Sequence, residues 1–296
     1  MRAIYELRYA HLREAYDAQW SATDLDANHR RLQGDESVGL IDGYLAGRGA
    51  LAILDVGCGM GRTVEHFLRQ GHQVTGIDLA TAGLRLYRRR RPAARLVCGS
   101  LVDLPFRGPS FDLILLMGVL YEIEALQAMP PVLRAMQGLL RPAGRLIYVS
   151  QYPKDLWKTV LSYVPFRRRW FRRLCMPSRA GQTPHFSRWV VSNRETVRLF
   201  ARAGWRVERV APVNQYYGAA NWFYDVFYRQ KGQTPLSFEV EQNPVRHVRL
   251  PGRLIARLSR RWWPMLSAGL VYFQFAPDGE PQRGTWIGPR AEGGPT

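Results

Sequence analysis

From Ala50 onward the chain alternates short apolar runs with helical segments, and the first run, LAILDVG, breaks at a turn carrying Gly57, Gly59 and Gly61. Strands that alternate with helices build βαβ units and a parallel sheet. After the turn comes a helix, TVEHFLRQ, closed by Gly71, then the strand QVTGIDL, a helix near TAGLRLYRRR and the strand ARLVCG. FDLILLMGVL is apolar enough for a strand buried on both faces, and Pro130-Pro131 opens the helix PVLRAMQGLL before the strand RLIYVS. The reading is an α/β, doubly wound core.

Six further boundaries follow from changes in this pattern. Residues 1–48 read as helices, with Tyr9, Tyr16 and Trp20 at helical spacing, and form a cover over the core at 49–150. A stretch rich in Trp, Tyr, Phe and Arg at 151–190 reads as an insertion or lid, after which NRETVRLFARAG and WRVERVA resume the core at 191–211. Residues 212–266 form a second insertion, AGLVYFQFA within 267–277 the last core strand, and 278–296 a loose Gly/Pro-rich tail.

The chain carries 42 Lys+Arg against 24 Asp+Glu, a formal charge of +18. Only Lys154, Lys158 and Lys231 are lysines, and such an arginine skew arises from GC-rich codons alone, which weakens the charge as a sign of an anionic partner. The run Arg88–Arg91 reads as a solvated helix end. Cys58, Cys98 and Cys175, odd in number and widely spaced, suit neither a disulfide framework nor a metal cluster, so a reducing compartment and no metal are expected. The N-terminus has no apolar core of a signal peptide, and no window approaches the roughly 18 apolar residues of a spanning helix. A soluble cytoplasmic protein is expected, with peripheral membrane contact as the alternative.

The chemistry sits at Asp55-Val56-Gly57-Cys58-Gly59-Met60-Gly61, where a strand must turn sharply into a helix. Asp78 closes the next strand 23 residues after Asp55, and a carboxylate there can accept both hydrogen bonds of a ribose diol. An adenosine-containing cofactor is therefore the leading reading. Dinucleotide sites use G-x-G-x-x-G with a helix N-terminus on a pyrophosphate, whereas this loop is G-x-G-x-G with Asp55 beside it. A carboxylate repels a pyrophosphate and attracts an amino group.

ILDVGCGMGR resembles the first motif of the class I S-adenosylmethionine-dependent methyltransferases of small-molecule type. GIDLA, GSLVDLPF and FDLILLMGVLYEI resemble their second to fourth motifs, LLRPAGRLIYVS the fifth strand with its turn, and NRETVRLFARAGWRVERV the later helix and sixth strand. The resemblance implies a Rossmann-like, mostly parallel seven-stranded sheet with an antiparallel last strand, and S-adenosyl-L-methionine as cofactor. It places Gly57, Gly59 and Gly61 against the methionine and ribose, Asp55 toward the amino end, and Asp78 on the ribose hydroxyls. Leu79 would flank the adenine, Met117 would line the pocket, and Ser100, where the family carries an acidic residue, would share adenine recognition with the backbone of Leu101.

Methyl transfer from a sulfonium neutralises charge, so alignment and dryness supply much of the acceleration and a base is optional. The candidates are Tyr121 and Glu122, just after the fourth strand, and His185 in the insertion. A helix-start carboxylate is an equally good account of Glu122, and a surface histidine of His185. The expected function is methylation of a small-molecule or lipid-linked acceptor, with a hydroxyl as the accepting atom. The basic, aromatic segment around Arg167–Arg169 reads first as a lid and second as a face for anionic membrane. A noncatalytic cofactor-binding scaffold is the alternative in another class. A nucleic-acid methyltransferase ranks below both, because the fourth strand ends Met117-Gly118-Val119-Leu120 rather than in an Asn/Asp-Pro-Pro-Tyr/Phe signature.

Overall fold

The computed structural model describes residues 2–30, 32, 35–120, 129–151, 193–213 and 270–279. Three helices lead, α1 (Arg2–Ser21), α2 (Leu25–Arg30) and α3 (Glu36–Leu45). The core then alternates as β1 (Ala52–Val56), α4 (Arg62–Arg69), β2 (Gln73–Asp78), α5 (Thr81–Arg90), β3 (Arg95–Cys98) and β4 (Phe111–Met117). It continues through α6 (Met129–Gln137), β5 (Leu140–Gln151), α7 (Asn193–Arg202), β6 (Trp205–Val213) and β7 (Leu270–Pro277).

Seven strands form one sheet in the order β3-β2-β1-β4-β5-β7-β6. β1 pairs in parallel with β2 and β4, β2 with β3, and β4 with β5, while β7 runs antiparallel to both β5 and β6. The expected doubly wound sheet with an antiparallel last strand is thus what the chain forms. Its strand order reverses between β1 and β4, and in an open sheet ligands bind outside the carboxyl ends of the strands at that point.

Alternation along the strands builds two cores. Leu54, Val56, Ile114, Leu116 and Tyr148 face α6 and α7, against Leu133, Met136 and Phe200. Ile53, Leu113, Leu115, Ile147 and Val149 face the other way, against Ile41 of α3, Val64 and Phe67 of α4, and Tyr87 of α5. Each central strand thereby buries both faces, which is why its sequence reads as an unbroken apolar run. On the α6 side Phe200 and Phe275 stack with ring centroids 3.9 Å apart.

One expectation needs correction. The composition of LRPAG predicts a turn before the fifth strand, but β5 starts at Leu140, which pairs with Phe111 across a register shift. The turn signal is absorbed as an irregularity, with Ala143 at φ 64°. The run Arg88–Arg91 lies exposed at the end of α5, as expected, and three of its arginines also find partners. Arg88 donates to the Leu96 carbonyl at 2.7 Å, Arg90 pairs with Asp26, and Arg91 holds Glu65 at 2.8 Å. These arginines tie α5 to β3, α2 and α4.

The insertions at 151–190 and 212–266 and the tail fall almost wholly outside the described residues. Among the described residues no helix is long and apolar enough to cross a membrane.

Candidate active site

β1 and β2 end side by side, Asp55 opposite Gly76 and Val56 opposite Ile77, so the turn after β1 lies against the end of β2. The amides of Gly57 and Cys58 both donate to the Ile77 carbonyl, at 2.7 and 3.1 Å, and that of Gly61 to the Cys58 carbonyl at 2.9 Å. The Gly59 amide donates to Oδ2 of Asp78 at 2.7 Å. Four loop amides are therefore engaged inside the protein. A pyrophosphate cradle needs such amides turned outward, and this one turns them inward.

Gly57, Gly59 and Gly61 all adopt positive φ, at 76°, 54° and 71°, where other residues are strained. Their missing side chains are filled by protein. A Cβ on Gly57 would lie 2.2 Å from Val119, one on Gly59 3.0 Å from the Trp20 ring, and one on Gly61 2.4 Å from the Tyr87 ring. The glycines thus serve packing of the loop against the β4 end, α1 and α5, a use that the motif alone does not disclose.

Two carboxylates, Asp55 and Asp78, stand at the ends of the adjacent strands β1 and β2. Asp55 is 1% exposed and accepts the Thr63 hydroxyl on Oδ2. Burial pushes its carboxyl up to about 6, against the lowering effects of the Thr63 hydrogen bond and Arg62. Asp78 is also raised, chiefly by burial, opposed by the amides of Ala80 and Gly59. It accepts Ala80 N–H on Oδ1 at 2.8 Å and Gly59 N–H on Oδ2 at 2.7 Å, with the Leu79 amide as a further favourable neighbour. Cys58 beneath the loop is a buried thiol pushed up by desolvation, and so stays protonated.

The other expected cofactor residues gather at the same edge. Leu79 follows β2, Ser100 and Leu101 follow β3, and Met117 ends β4, all half-buried. Ser100 accepts the Val102 amide on its hydroxyl at 3.3 Å and bridges to Asp103. Leu101 packs on the α6 side of the sheet and Met117 on the α3 side, so the two border the crevice from opposite faces. Tyr121, Glu122 and His185, the candidate bases, lie outside the described residues.

Sequence reasoning missed the Glu65 cluster that frames the loop. Glu65 of α4 is 5% exposed, and accepts from Arg69 and Arg91 on Oε1 at 2.7 and 2.8 Å and from the Tyr87 hydroxyl on Oε2 at 2.8 Å. Arg91 foremost holds its carboxyl down to about 2. The α1–α2 segment reaches the loop as well. His29 Nε2 lies 2.8 Å from the Met60 carbonyl, and Asp17 accepts the Ala82 amide at 2.6 Å. Trp20 lies over Gly59, stacked on Tyr16 with centroids 6.2 Å apart. The helical spacing of Tyr16 and Trp20 underlies the expected N-terminal cover, but it gives no sign of the Asp17 and His29 contacts.

Residues 54–148 match the family profile of the methyltransferase domain. A Mycobacterium ulcerans phthiotriol/phenolphthiotriol dimycocerosates methyltransferase is 32% identical over 126 residues, 39% of this chain and 44% of the relative. A Tropheryma whipplei demethylmenaquinone methyltransferase is 35% identical over 119 residues, 38% of this chain and 48% of the relative. These matches span less than half the length of the curated relatives. Among solved structures, a Methanosarcina mazei SAM-dependent methyltransferase aligns with a TM-score of 0.52 at 14% identity, over 81% of this chain and 96% of its own. A methyltransferase from a Haloferax volcanii complex with the activator Trm112 gives 0.52 at 15% identity, over 89% and 97%. Motifs and matched profile together identify residues 54–148 as a methyltransferase domain of the class I S-adenosylmethionine-dependent kind, set in a sheet whose fold the solved methyltransferases share.

Proposed function

We propose that the chain transfers the methyl group of S-adenosylmethionine to a hydroxyl of a hydrophobic small-molecule or lipid-linked acceptor. The observation that carries the cofactor assignment is the pair Asp55 and Asp78 at adjacent strand ends, beside a loop whose amides point inward. Acidic walls suit the ammonium and ribose of that cofactor and oppose a phosphate. In this reading Asp55 faces the amino-acid ammonium, Asp78 holds the ribose diol, and Leu79, Ser100 and Leu101 border the adenine. When bound, the cofactor supplies a methyl group on a sulfonium, an electrophile whose charge is neutralised on transfer. The protein's part is alignment and dryness: Met117 and Val119 close one side and Trp20 roofs the loop. Tyr121, Glu122 or His185 would take the acceptor's proton.

The acceptor class rests on the relatives, whose names place one on phthiotriol and phenolphthiotriol dimycocerosates and one on demethylmenaquinone, both apolar molecules. The arginine- and aromatic-rich segment at 151–190 supports the same class, as a lid or as a contact with anionic membrane.

Calorimetry with S-adenosylhomocysteine should show binding that Asp78→Ala weakens at least about tenfold, because the diol loses a charge-assisted partner. Labelled methyl should then appear on long-chain or ring hydroxyl acceptors held in detergent, and not on water-soluble phenols. Binding of NAD in place of the methionine derivatives would refute the cofactor assignment. Binding without transfer to any such acceptor would favour the noncatalytic scaffold.

A further inference from the structure

We propose that Trp20 is itself a ligand-binding residue, its indole N–H donating to the carboxylate at the amino-acid end of the bound cofactor. This deepens the functional reading above and rests on it.

The indole Nε1 is buried and has no hydrogen-bond partner among the described residues. A buried donor left unpaired is costly, so a site that keeps one is poised for an acceptor that arrives later. The ring is seated at the crevice. Its Cζ2 lies 3.0 Å from where a Gly59 Cβ would stand, and its Cδ1 3.1 Å from that of Gly83. Nε1 is bonded to Cδ1 and Cε2, so the donor sits between the glycine loop and the first turn of α5.

Two residues fix the segment on the walls of that crevice. Asp17 accepts the Ala82 amide at 2.6 Å and so caps α5, whose own N-cap residue, Ala80, offers no side-chain bond. His29 reaches the Met60 carbonyl at 2.8 Å. Both are positioning residues: they hold α1 and α2 to the loop that Trp20 covers. The charge around the crevice then selects the partner. Asp55, Asp78 and Asp17 welcome the ammonium of a zwitterionic amino acid but repel its carboxylate, which needs a donor on the roof. The Trp20 N–H is a neutral donor in that place.

The test measures binding of S-adenosylhomocysteine and of its decarboxylated analogue to the wild-type chain and to Trp20→Phe, which keeps an aromatic ring and removes the donor. The expected result is a loss of about tenfold for S-adenosylhomocysteine and none for the decarboxylated analogue. In 15N spectra of the wild type, the indole resonance that disappears in Trp20→Phe should move downfield as S-adenosylhomocysteine is added. Equal losses for the two ligands, or an indole resonance that stays put at saturation, would overturn the proposal and leave Trp20 a packing residue. A wild-type chain that binds neither ligand would instead overturn the cofactor assignment, and the proposal with it.

Discussion

Asp55→Asn is expected to raise the melting temperature of the ligand-free protein at neutral pH while removing most of its affinity for the cofactor. The carboxyl is raised from 3.8 to about 6 because burial beneath the glycine loop outweighs the Thr63 hydrogen bond. A folded-state pKa above the unfolded one means that the neutral form is favoured in the fold, and each unit corresponds to about 1.4 kcal/mol. Ionised Asp55 therefore costs about 3 kcal/mol at neutral pH. Asparagine keeps an oxygen for the Thr63 hydroxyl and carries no charge, so the variant should recover about 2 kcal/mol, or several degrees in Tm. The contribution of protonated Asp55 is fully present below about pH 4 and is lost as pH rises through about 6. The difference in Tm between variant and wild type should thus be largest above about pH 7 and vanish near about pH 4. Cofactor affinity should fall at least about tenfold, since the ammonium loses a charged partner. Calorimetric melts across that range, paired with titrations of S-adenosylhomocysteine, check both halves. A variant less stable than wild type at pH 7 would mean that the buried charge is compensated rather than strained.

The expected opposition between stability and binding at Asp55 would also account for why this part of the candidate site was legible in the sequence. A carboxylate at the end of an apolar strand is not accounted for by packing, and with three glycines after it and a second carboxylate ending the next strand, Asp55, Gly57, Gly59, Gly61 and Asp78 stood out together. The order of strands and helices was equally legible, because β1, β4 and β5 bury both faces and therefore write long apolar runs. What could not be read were pairings between distant positions. Asp17 caps a helix 65 residues away, His29 meets a carbonyl 31 residues on, and Tyr87 meets Glu65 across 22 residues. Local pattern carries no record of such partners, which exist only once α1 and α5 pack on the loop. The start of β5 was missed for a different reason. Pro142, Ala143 and Gly144 are turn-forming residues, but tertiary pairing of Leu140 with Phe111 overrides that preference.

Glu65→Ala should produce the largest loss of stability of any single change at the site, about 3 kcal/mol, and with it a loss of cofactor affinity. The carboxylate is nearly buried and holds four donors from three residues, with Arg91 bidentate at 2.8 and 3.0 Å, Arg69 at 2.7 Å and the Tyr87 hydroxyl at 2.8 Å. Removing it strands the Tyr87 hydroxyl in the core, while Arg69 and Arg91, more than half and half exposed, turn to water and moderate the cost. The consequence reaches the loop because Tyr87 packs where a Gly61 side chain would stand, and its ring lies 5.6 Å from His29, which bonds Met60. A displaced Tyr87 loosens both the loop and the α2 contact to it. The pH signature runs opposite to that of Asp55. Glu65 is depressed from 4.5 to about 2, so its contribution is present above about pH 4.5 and is lost as pH falls through about 2. The gap in Tm between wild type and Glu65→Ala should therefore be constant from pH 8 to about 5 and narrow below about pH 4. Glu65→Gln, which can still accept from Tyr87 but not pair with Arg91, should fall between the two. A melting temperature within one or two degrees of wild type for Glu65→Ala at neutral pH would show that Arg91 and Tyr87 hold the loop without it.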